Sequence, residues 1–269
     1  MKPEPKKAEI SGCREMAPGV YQVEMGRWVS RCSIYFVRSG SSWALIDAGW
    51  AKCGRTIKRT AESVFGANAR PASILLTHIH PDHSGSAREL AQMWKLPVYV
   101  HSDEMPLAPG GLMPEYFNSL DRWLVAPLMK LMPRRVVESQ RLEAGLKDIA
   151  RPLEPDTGVP GLSDWEFVHT PGHTPGHVVF FRSHDRVLIG GDALLTVNTN
   201  SLWDFLLNKQ QVSGPPYIGT WKWDVAKASV AVLARLEPNI LACGHGVPMT
   251  GEGVARELCA FADRFSGRG

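Results

Sequence analysis

The segment His78-Ile79-His80-Pro81-Asp82-His83 places three imidazoles and one carboxylate within six residues. Imidazole and carboxylate groups are side chains that bind zinc, iron and similar ions. The segment directly follows a short apolar run that predicts a buried strand, so its side chains leave the strand in a tight turn. His78 and His80 can then share one ion, while Asp82 and His83 reach a neighbouring one. A helix cap would need one such side chain and does not account for four.

Other acidic or imidazole residues also come directly after apolar runs. They are Asp47 after Trp-Ala-Leu-Ile, Asp192 after Leu-Ile-Gly-Gly and His245 after Leu-Ala-Cys-Gly. In layered α/β folds, ligands bind beyond the strand ends, where loops converge. We therefore expect these residues and the first segment to share one edge of the sheets.

His173 lies in Thr170-Pro171-Gly172-His173-Thr174-Pro175-Gly176-His177. Paired Pro-Gly turns predict a rigid loop between two strands, and a rigid loop suits a metal ligand. For the flanking His169 and His177 we favour structural roles or roles that support the ligands. We expect His101 and His184 to be peripheral.

Short strand-like runs alternate with helical patterns, which indicates an α/β fold. We expect a flexible segment over residues 1–15 and a single domain over 16–269, with a helical insert near 104–155. The predicted strands are Val20–Met25, Ser33–Arg38, Trp43–Ile46, Ser73–Thr77, Val98–His101, Glu166–His169, Val178–Arg182, Val187–Ile189 and Asn239–Ala242. The predicted helices are Ile57–Phe65, Ser84–Lys95, Tyr116–Met132 in the insert, one within Tyr217–Leu236, and Glu252–Arg264.

Composition narrows the class of protein. The chain has 269 residues and a formal net charge of +3, which argues against nucleic acid as the main partner. Its five cysteines form no CxxC pair and indicate free thiols in a reducing compartment. Residues 1–9 lack the apolar region of a signal peptide, and no stretch predicts a comfortable membrane span. We therefore expect a cytoplasmic protein with no membrane partner.

His-x-His-x-Asp-His, Pro-Gly-His-Thr-Pro-Gly-His, Gly-Gly-Asp and Cys-Gly-His-Gly, in this order, resemble the metallo-β-lactamase superfamily. The resemblance implies a four-layer αβ/βα sandwich that holds metals at the edge of two packed sheets. It implies one metal bound by His78, His80 and His173. A second would be bound by Asp82, His83 and His245, with Asp192 as the bridge. Asp47 matches an early family Asp that braces the metal loops.

The resemblance also implies a mechanism. Two divalent ions, zinc by expectation with manganese or iron as alternatives, would share a hydroxide that attacks a carbonyl or phosphoryl centre. Asp82 is placed to pass a proton to the leaving group. Tyr217 is a candidate oxyanion donor because lactonases of this superfamily use a late tyrosine, although a packed tyrosine is the simpler interpretation.

The substrate stays open at this stage. The family hydrolyses lactones, thioesters, β-lactams and phosphodiesters, and we favour a small-molecule, ester-like substrate such as a lactone. The alternative is a mononuclear-iron sulfur dioxygenase, although its Cys-Gly-Arg-Thr-Asp-Phe pattern is missing here. A non-catalytic binding module would not need all seven ligand types. The Met-rich segment Met113–Met132 predicts a roof over an apolar pocket, a homodimer contact, or a helix that simply packs on the core.

Overall fold

Two sheets stack face to face in the part of the chain that the structure describes. This computed structural model describes residues 10–27, 30–110, 114–127, 145–207 and 209–267. The first sheet runs in chain order through β1 (Ile10–Ala17), β2 (Val20–Met25), β3 (Cys32–Ser39), β4 (Ser42–Ile46), β5 (Ser73–Leu75), β6 (Val98–His101) and β7 (Ala150–Leu153). Pairing is antiparallel from β1 to β4 and parallel from β4 to β7.

The second sheet comes from the C-terminal half. Its strands are β8 (Glu166–His169), β9 (Val178–Arg182), β10 (Val187–Ile189), β13 (Ile240–Ala242) and β14 (Met249–Thr250), in the spatial order β14-β13-β10-β9-β8. β10 and β13 are parallel. A separate ribbon pairs β11 (Leu195–Val197) with β12 (Gln210–Ser213).

Helices cover the outer face of each sheet. The described α-helices are α1 (Gly54–Phe65), α2 (Pro81–Ser84), α3 (Ala87–Trp94), α4 (Leu202–Leu206), α5 (Trp223–Ala234) and α6 (Gly253–Phe265). Buried residues of α1 and α3 pack on the first sheet, and those of α5 and α6 pack on the second. The order helix, sheet, sheet, helix is the expected four-layer αβ/βα sandwich.

Strand β3 shows why the layers form. All but one of its residues are buried, so both faces of the strand need cover. Ile34 and Phe36 point to the helices α1 and α3, while Tyr35 and Val37 point to the second sheet. Since side chains alternate along a strand, one continuous apolar run serves two cores.

Most predicted strands and helices are present, and several boundaries differ. The flexible segment expected over residues 1–15 is wrong from residue 10 onward, because β1 pairs with β2 there; residues 1–9 lie outside the described residues. The alternation of apolar and polar residues in β1 was too weak to predict a strand. Strands β7, β11, β12 and β14 and helix α4 were not predicted.

The helix predicted over Ser84–Lys95 divides into α2 and α3 around Gly85. A Cβ at Gly85 would lie 2.3 Å from the backbone nitrogen of Ala51, so the chain there packs backbone to backbone. In the insert, Asp121–Val125 forms a π-helical turn instead of a regular amphipathic helix. The rest of the predicted Tyr116–Met132 helix, from residue 128, lies outside the described residues.

Among the described helices, none combines the length and the apolar character that crossing a bilayer requires.

Candidate metal centre

The predicted site residues meet at one edge of the sandwich. His78, His80, Asp82 and His83 follow β5 and enter α2, and His173 lies in the loop between β8 and β9. Asp192 follows β10, and His245 follows β13. The first sheet thus supplies the first four side chains and the second sheet the other three. The expectation of a shared edge is confirmed.

Three imidazoles form one cluster. His78, His80 and His173 place ring nitrogens within 4.8 Å of one another. His173 Nε2 lies 2.9 Å from His80 Nδ1. This spacing allows a single ion to bind all three rings.

A second cluster lies beside the first. Asp82, His83 and His245 again have ligand atoms within 4.8 Å of one another. His245 Nε2 is 3.2 Å from Asp82 Oδ2, and His83 Nε2 is 3.9 Å from the same oxygen.

Asp192 lies between the two clusters. Its Oδ2 is 3.7 Å from His173 Nε2 in the first cluster and 3.4 Å from His245 Nε2 in the second. Its Oδ1 is 3.3 Å from His83 Nε2. The carboxylate therefore has the position of a bridge.

Buried partners fix how the imidazoles of the first segment are turned. Asp47, on a left-handed backbone with φ of 60°, accepts from the backbone N–H of Thr77 at 2.8 Å and from the Thr77 hydroxyl. Its Oδ2 lies 2.8 Å from His83 Nδ1. The Thr77 hydroxyl donates to Asp47, so it accepts from His78 Nδ1 at 3.0 Å. His78 and His83 therefore both direct Nε2 lone pairs into the site, and the predicted bracing position of Asp47 agrees with these contacts.

Two more rings are fixed in the same way. The Thr220 hydroxyl donates to Pro216 O at 2.5 Å, so it accepts from His173 Nδ1 at 3.0 Å. His245 Nδ1 donates to Arg31 O at 2.6 Å. In the neutral form of each ring, Nδ1 carries the proton and Nε2 is the nitrogen left to bind an ion.

Several polar atoms at the centre lack ordinary partners. His78 Nε2, His83 Nε2 and Asp192 Oδ1 are buried and make no hydrogen bond. Such buried polar atoms are costly unless something else satisfies them. A Cβ at Gly244 would lie 2.2 Å from Asp192 Oδ1, so the glycine leaves room for the carboxylate. Unpaired lone pairs, imidazole rings and carboxylates together fit a bound transition metal.

Burial and charge set the protonation of the rings. Burial, with neighbouring imidazoles, lowers the pKa of His78 and His173 well below the usual value, so both are neutral at pH 7. For His245, burial opposes protonation, but Asp192 and Asp82 raise its pKa to about 10. Asp192, Asp47 and Asp82 likewise raise the pKa of His83 against the effect of burial. The carboxylates thus attract positive charge, which metal ions would supply in place of protons.

Two residues that brace the loops escaped a firm assignment from the sequence. The fully buried carboxylate of Glu104 accepts from Ile79 N at 2.8 Å and from Gly176 N at 2.9 Å. It therefore joins the loop of His78 and His80 to the loop of His173. His177 accepts from the backbone N–H of Asp192 at 3.0 Å, which matches its favoured supporting role. Glu104 follows strand β6, so the pattern of polar residues after strands could have indicated it.

The remaining candidates belong to neither cluster. Tyr217 is half exposed, on the loop two residues before Gly219, and its catalytic role stays a prediction. His101 stacks on His169 with ring centroids 3.9 Å apart, beside Asp103. His169 Nε2 donates to Pro175 O at 2.9 Å and His101 Nδ1 accepts from Asp103 N at 3.2 Å, so these nitrogens already have partners. His184 is exposed in the β9–β10 hairpin, as expected.

Comparison with known proteins agrees with this geometry. The family model of the metallo-beta-lactamase superfamily matches residues 27–245. "Probable metallo-hydrolase YflN" of Bacillus subtilis is 38% identical over 257 residues, covering 94% of this chain and 93% of the relative. The structure of TTHA1623 in a di-iron-bound form is 26% identical, with a TM-score of 0.57, and the match covers 86% of this chain and 96% of that chain. The mono-zinc form of FIM-1 from Pseudomonas aeruginosa shares the fold at 16% identity and a TM-score of 0.61, and the match covers 97% of this chain and 98% of that chain.

Proposed function

Because this chain belongs to the metallo-β-lactamase superfamily, we propose that it is a dinuclear hydrolase of a small ester-like molecule such as a lactone. That the protein is a metal-dependent hydrolase follows from its family and its relatives. The number of ions, their identity and the substrate class belong to the proposal. We expect zinc, with manganese or iron as alternatives.

The position of Asp192 carries the proposal of two ions. One of its carboxylate oxygens faces both the cluster of His173 and the cluster of His245, at 3.7 and 3.4 Å. A single ion would leave one cluster of buried lone pairs unsatisfied. The di-iron form of the related TTHA1623 supports the same arrangement.

The residues suggest how the reaction would proceed. The two clusters, with Asp192, would hold two ions, which would supply an acidified water and stabilise negative charge on the attacked group. Asp82 stays ionised at pH 7, because His83 and His245 lower its pKa despite its burial. Its ionised carboxylate could accept the proton of the attacking water transiently and, as a weak base, would return it readily to the leaving group. Tyr217 would donate to the developing oxyanion.

Metal and oxygen measurements test the proposal against the dioxygenase alternative. We expect about two ions per chain in the purified protein by elemental analysis, and no oxygen uptake with glutathione persulfide. A panel of lactones, thioesters, β-lactams and phosphodiesters should show turnover first among the lactones. One iron per chain with oxygen uptake would overturn the hydrolase.

Single substitutions test the assignment of ligands. His80→Ala removes a ring from the first cluster and should abolish activity and lower the metal content. His184→Ala changes an exposed ring and should alter neither. Equal damage from the two substitutions would show that the ligand set is wrong.

A further inference from the structure

The exposed hydrophobic side chains of this protein are unevenly distributed. Among the described residues, those reported as large and exposed are Trp123, Trp203, Leu206, Leu207, Tyr217, Ile218 and Val232. All except Val232 lie on three segments, namely the π-helical turn at Asp121–Val125, helix α4 with the residue after it, and the loop after β12. We call these six residues the apolar rim. Single exposed hydrophobic residues are ordinary, whereas a group of six needs an explanation.

Hydrogen bonds join the three segments to one another. The Asn118 side chain, before the π-helical turn, donates to Tyr217 O and to Thr220 O, both at 2.9 Å. The Asp121 carboxylate accepts from Gly219 N at 3.2 Å. Asn200, just before α4, accepts from Tyr217 N at 2.6 Å. The apolar side chains therefore project from a connected frame, not from independent loops.

This frame adjoins the metal centre. A Cβ at Gly219 would lie 3.3 Å from His80 Cε1 and 3.9 Å from His173 Cε1. The next residue, Thr220, contacts His173 Nδ1 at 3.0 Å. Tyr217 and Ile218 thus directly precede Gly219 and Thr220, the two residues of this loop that neighbour the predicted ligands His80 and His173.

We propose that the apolar rim binds a hydrocarbon part of the substrate, so that the molecule cleaved carries an aliphatic chain or an aromatic ring beside its ester group. This inference rests on the proposed hydrolase function. Its occupant follows from continuity, because the loop that carries Tyr217 and Ile218 also contacts the predicted ligands His80 and His173, through Gly219 and Thr220. The exposed fractions of Trp203 and Leu207, 74% and 75%, leave considerable apolar surface to be covered. Covering such surface is favourable by about 25 cal/mol per Å².

Chain length in the substrate tests the proposal. For lactones with side chains of two to ten carbons, kcat/KM should rise by about two- to fourfold per methylene group, since a fully buried methylene contributes about that factor. The double substitution Trp203→Ser with Leu207→Ser should flatten this rise, so that the ratio of kcat/KM for the lactone with ten side-chain carbons to that for the lactone with two falls towards one. Val232→Ser, which removes an exposed hydrophobic residue outside the rim, is the matched control. A dependence on chain length that survives in the double variant would overturn the proposal.

Binding of decanoate separates this proposal from the hydrolase itself. Tryptophan fluorescence of the metal-loaded protein should report tighter binding of decanoate than of butyrate, and about tenfold weaker decanoate binding in the double variant. If no lactone is cleaved, the proposal of a lactone substrate fails, while decanoate binding still decides the role of the rim. Equal decanoate binding by the wild type and the double variant would refute the proposed role of the rim. A second result would also refute the proposal. If the wild type is a dimer that the double substitution dissociates, and turnover does not depend on chain length, the rim is a subunit contact.

Discussion

At the scale of single residues, the hydroxyl of Thr220 determines which nitrogen of His173 faces the site. Thr220→Val keeps the shape of the side chain but removes the acceptor for His173 Nδ1. The ring can then rotate or change tautomer, so we expect metal affinity to fall by about 10- to 100-fold. Competition with a chromophoric chelator measures this change.

A threonine far from the centre serves as the control for that substitution. The hydroxyl of Thr157 donates to Glu154 O in an exposed turn. Thr157→Val should therefore leave metal affinity unchanged. Unaltered affinity in Thr220→Val would mean that the hydroxyl does not orient His173.

His177 gives the stability of the protein a defined pH dependence. Burial lowers its pKa to about 3, so the folded state keeps the ring neutral where the unfolded state, with a pKa of about 6.5, binds a proton. The free energy of unfolding is therefore unaffected by protonation of this ring above pH 6.5. It decreases as the pH falls towards 3, by at most about 1.4 kcal/mol per pH unit. Urea unfolding of the metal-free protein between pH 7 and pH 4 measures this slope.

Substitution isolates the share of His177, because His78 and His173 have lowered pKa values that act in the same direction. His177→Gln should reduce the slope of the free energy of unfolding against pH, by an amount equivalent to the uptake of up to one proton on unfolding. His184→Gln, at an exposed ring, should not change it. An identical slope in the two variants would contradict the assignment.

At the scale of elements, Glu104 joins two loops that belong to different sheets. Glu104→Gln replaces one acceptor oxygen with an amide that faces a backbone N–H, so one buried donor loses its partner. We expect a loss of about 1–3 kcal/mol in stability. We also expect weaker metal binding and an altered absorption spectrum of the cobalt-substituted protein, because His78, His80 and His173 lose a common support.

Glu154→Gln, at an exposed glutamate, is the control for this change. The cobalt spectrum distinguishes a positioning role from general destabilisation, since it reports the arrangement of ligands in molecules that are folded. Loss of stability with an unchanged spectrum and affinity would show that Glu104 supports the fold alone.

The sequence predicted elements best where one local signal was sufficient. Apolar runs that end in Asp47, His78, Asp192 or His245 marked strand exits correctly, because strand periodicity and the change to a polar residue are both local. The division of α2 from α3 was not foreseen, since it depends on the close approach of Gly85 to Ala51, 34 residues earlier. Strand β1 depends on pairing with β2 and not on its own composition. Glu104 could be read as a strand-exit residue, but its two partners are set by tertiary structure.

At the scale of the whole molecule, the centre joins the two sheets. Side chains of the first segment come from the N-terminal sheet, whereas His173, Asp192 and His245 come from the C-terminal sheet. The interface between the sheets is itself apolar and continuous, with Tyr35 of β3 donating to Cys243 O at 2.6 Å. This interface does not involve the predicted ligands, so we expect a bound ion to add stability to a fold that forms without it.

Metal removal should accordingly lower the melting temperature without unfolding the protein at room temperature. An ion at a concentration 1,000-fold above its Kd stabilises the folded state by about 4 kcal/mol. For a chain of this size that corresponds to a shift of about 8–16 °C. Differential scanning calorimetry before and after treatment with a chelator measures the shift, and His184→Ala should show the same shift as wild type. His245→Ala should show a smaller shift, because only one cluster would remain complete. An unchanged melting temperature after verified metal removal would mean that the ions do not connect the two halves.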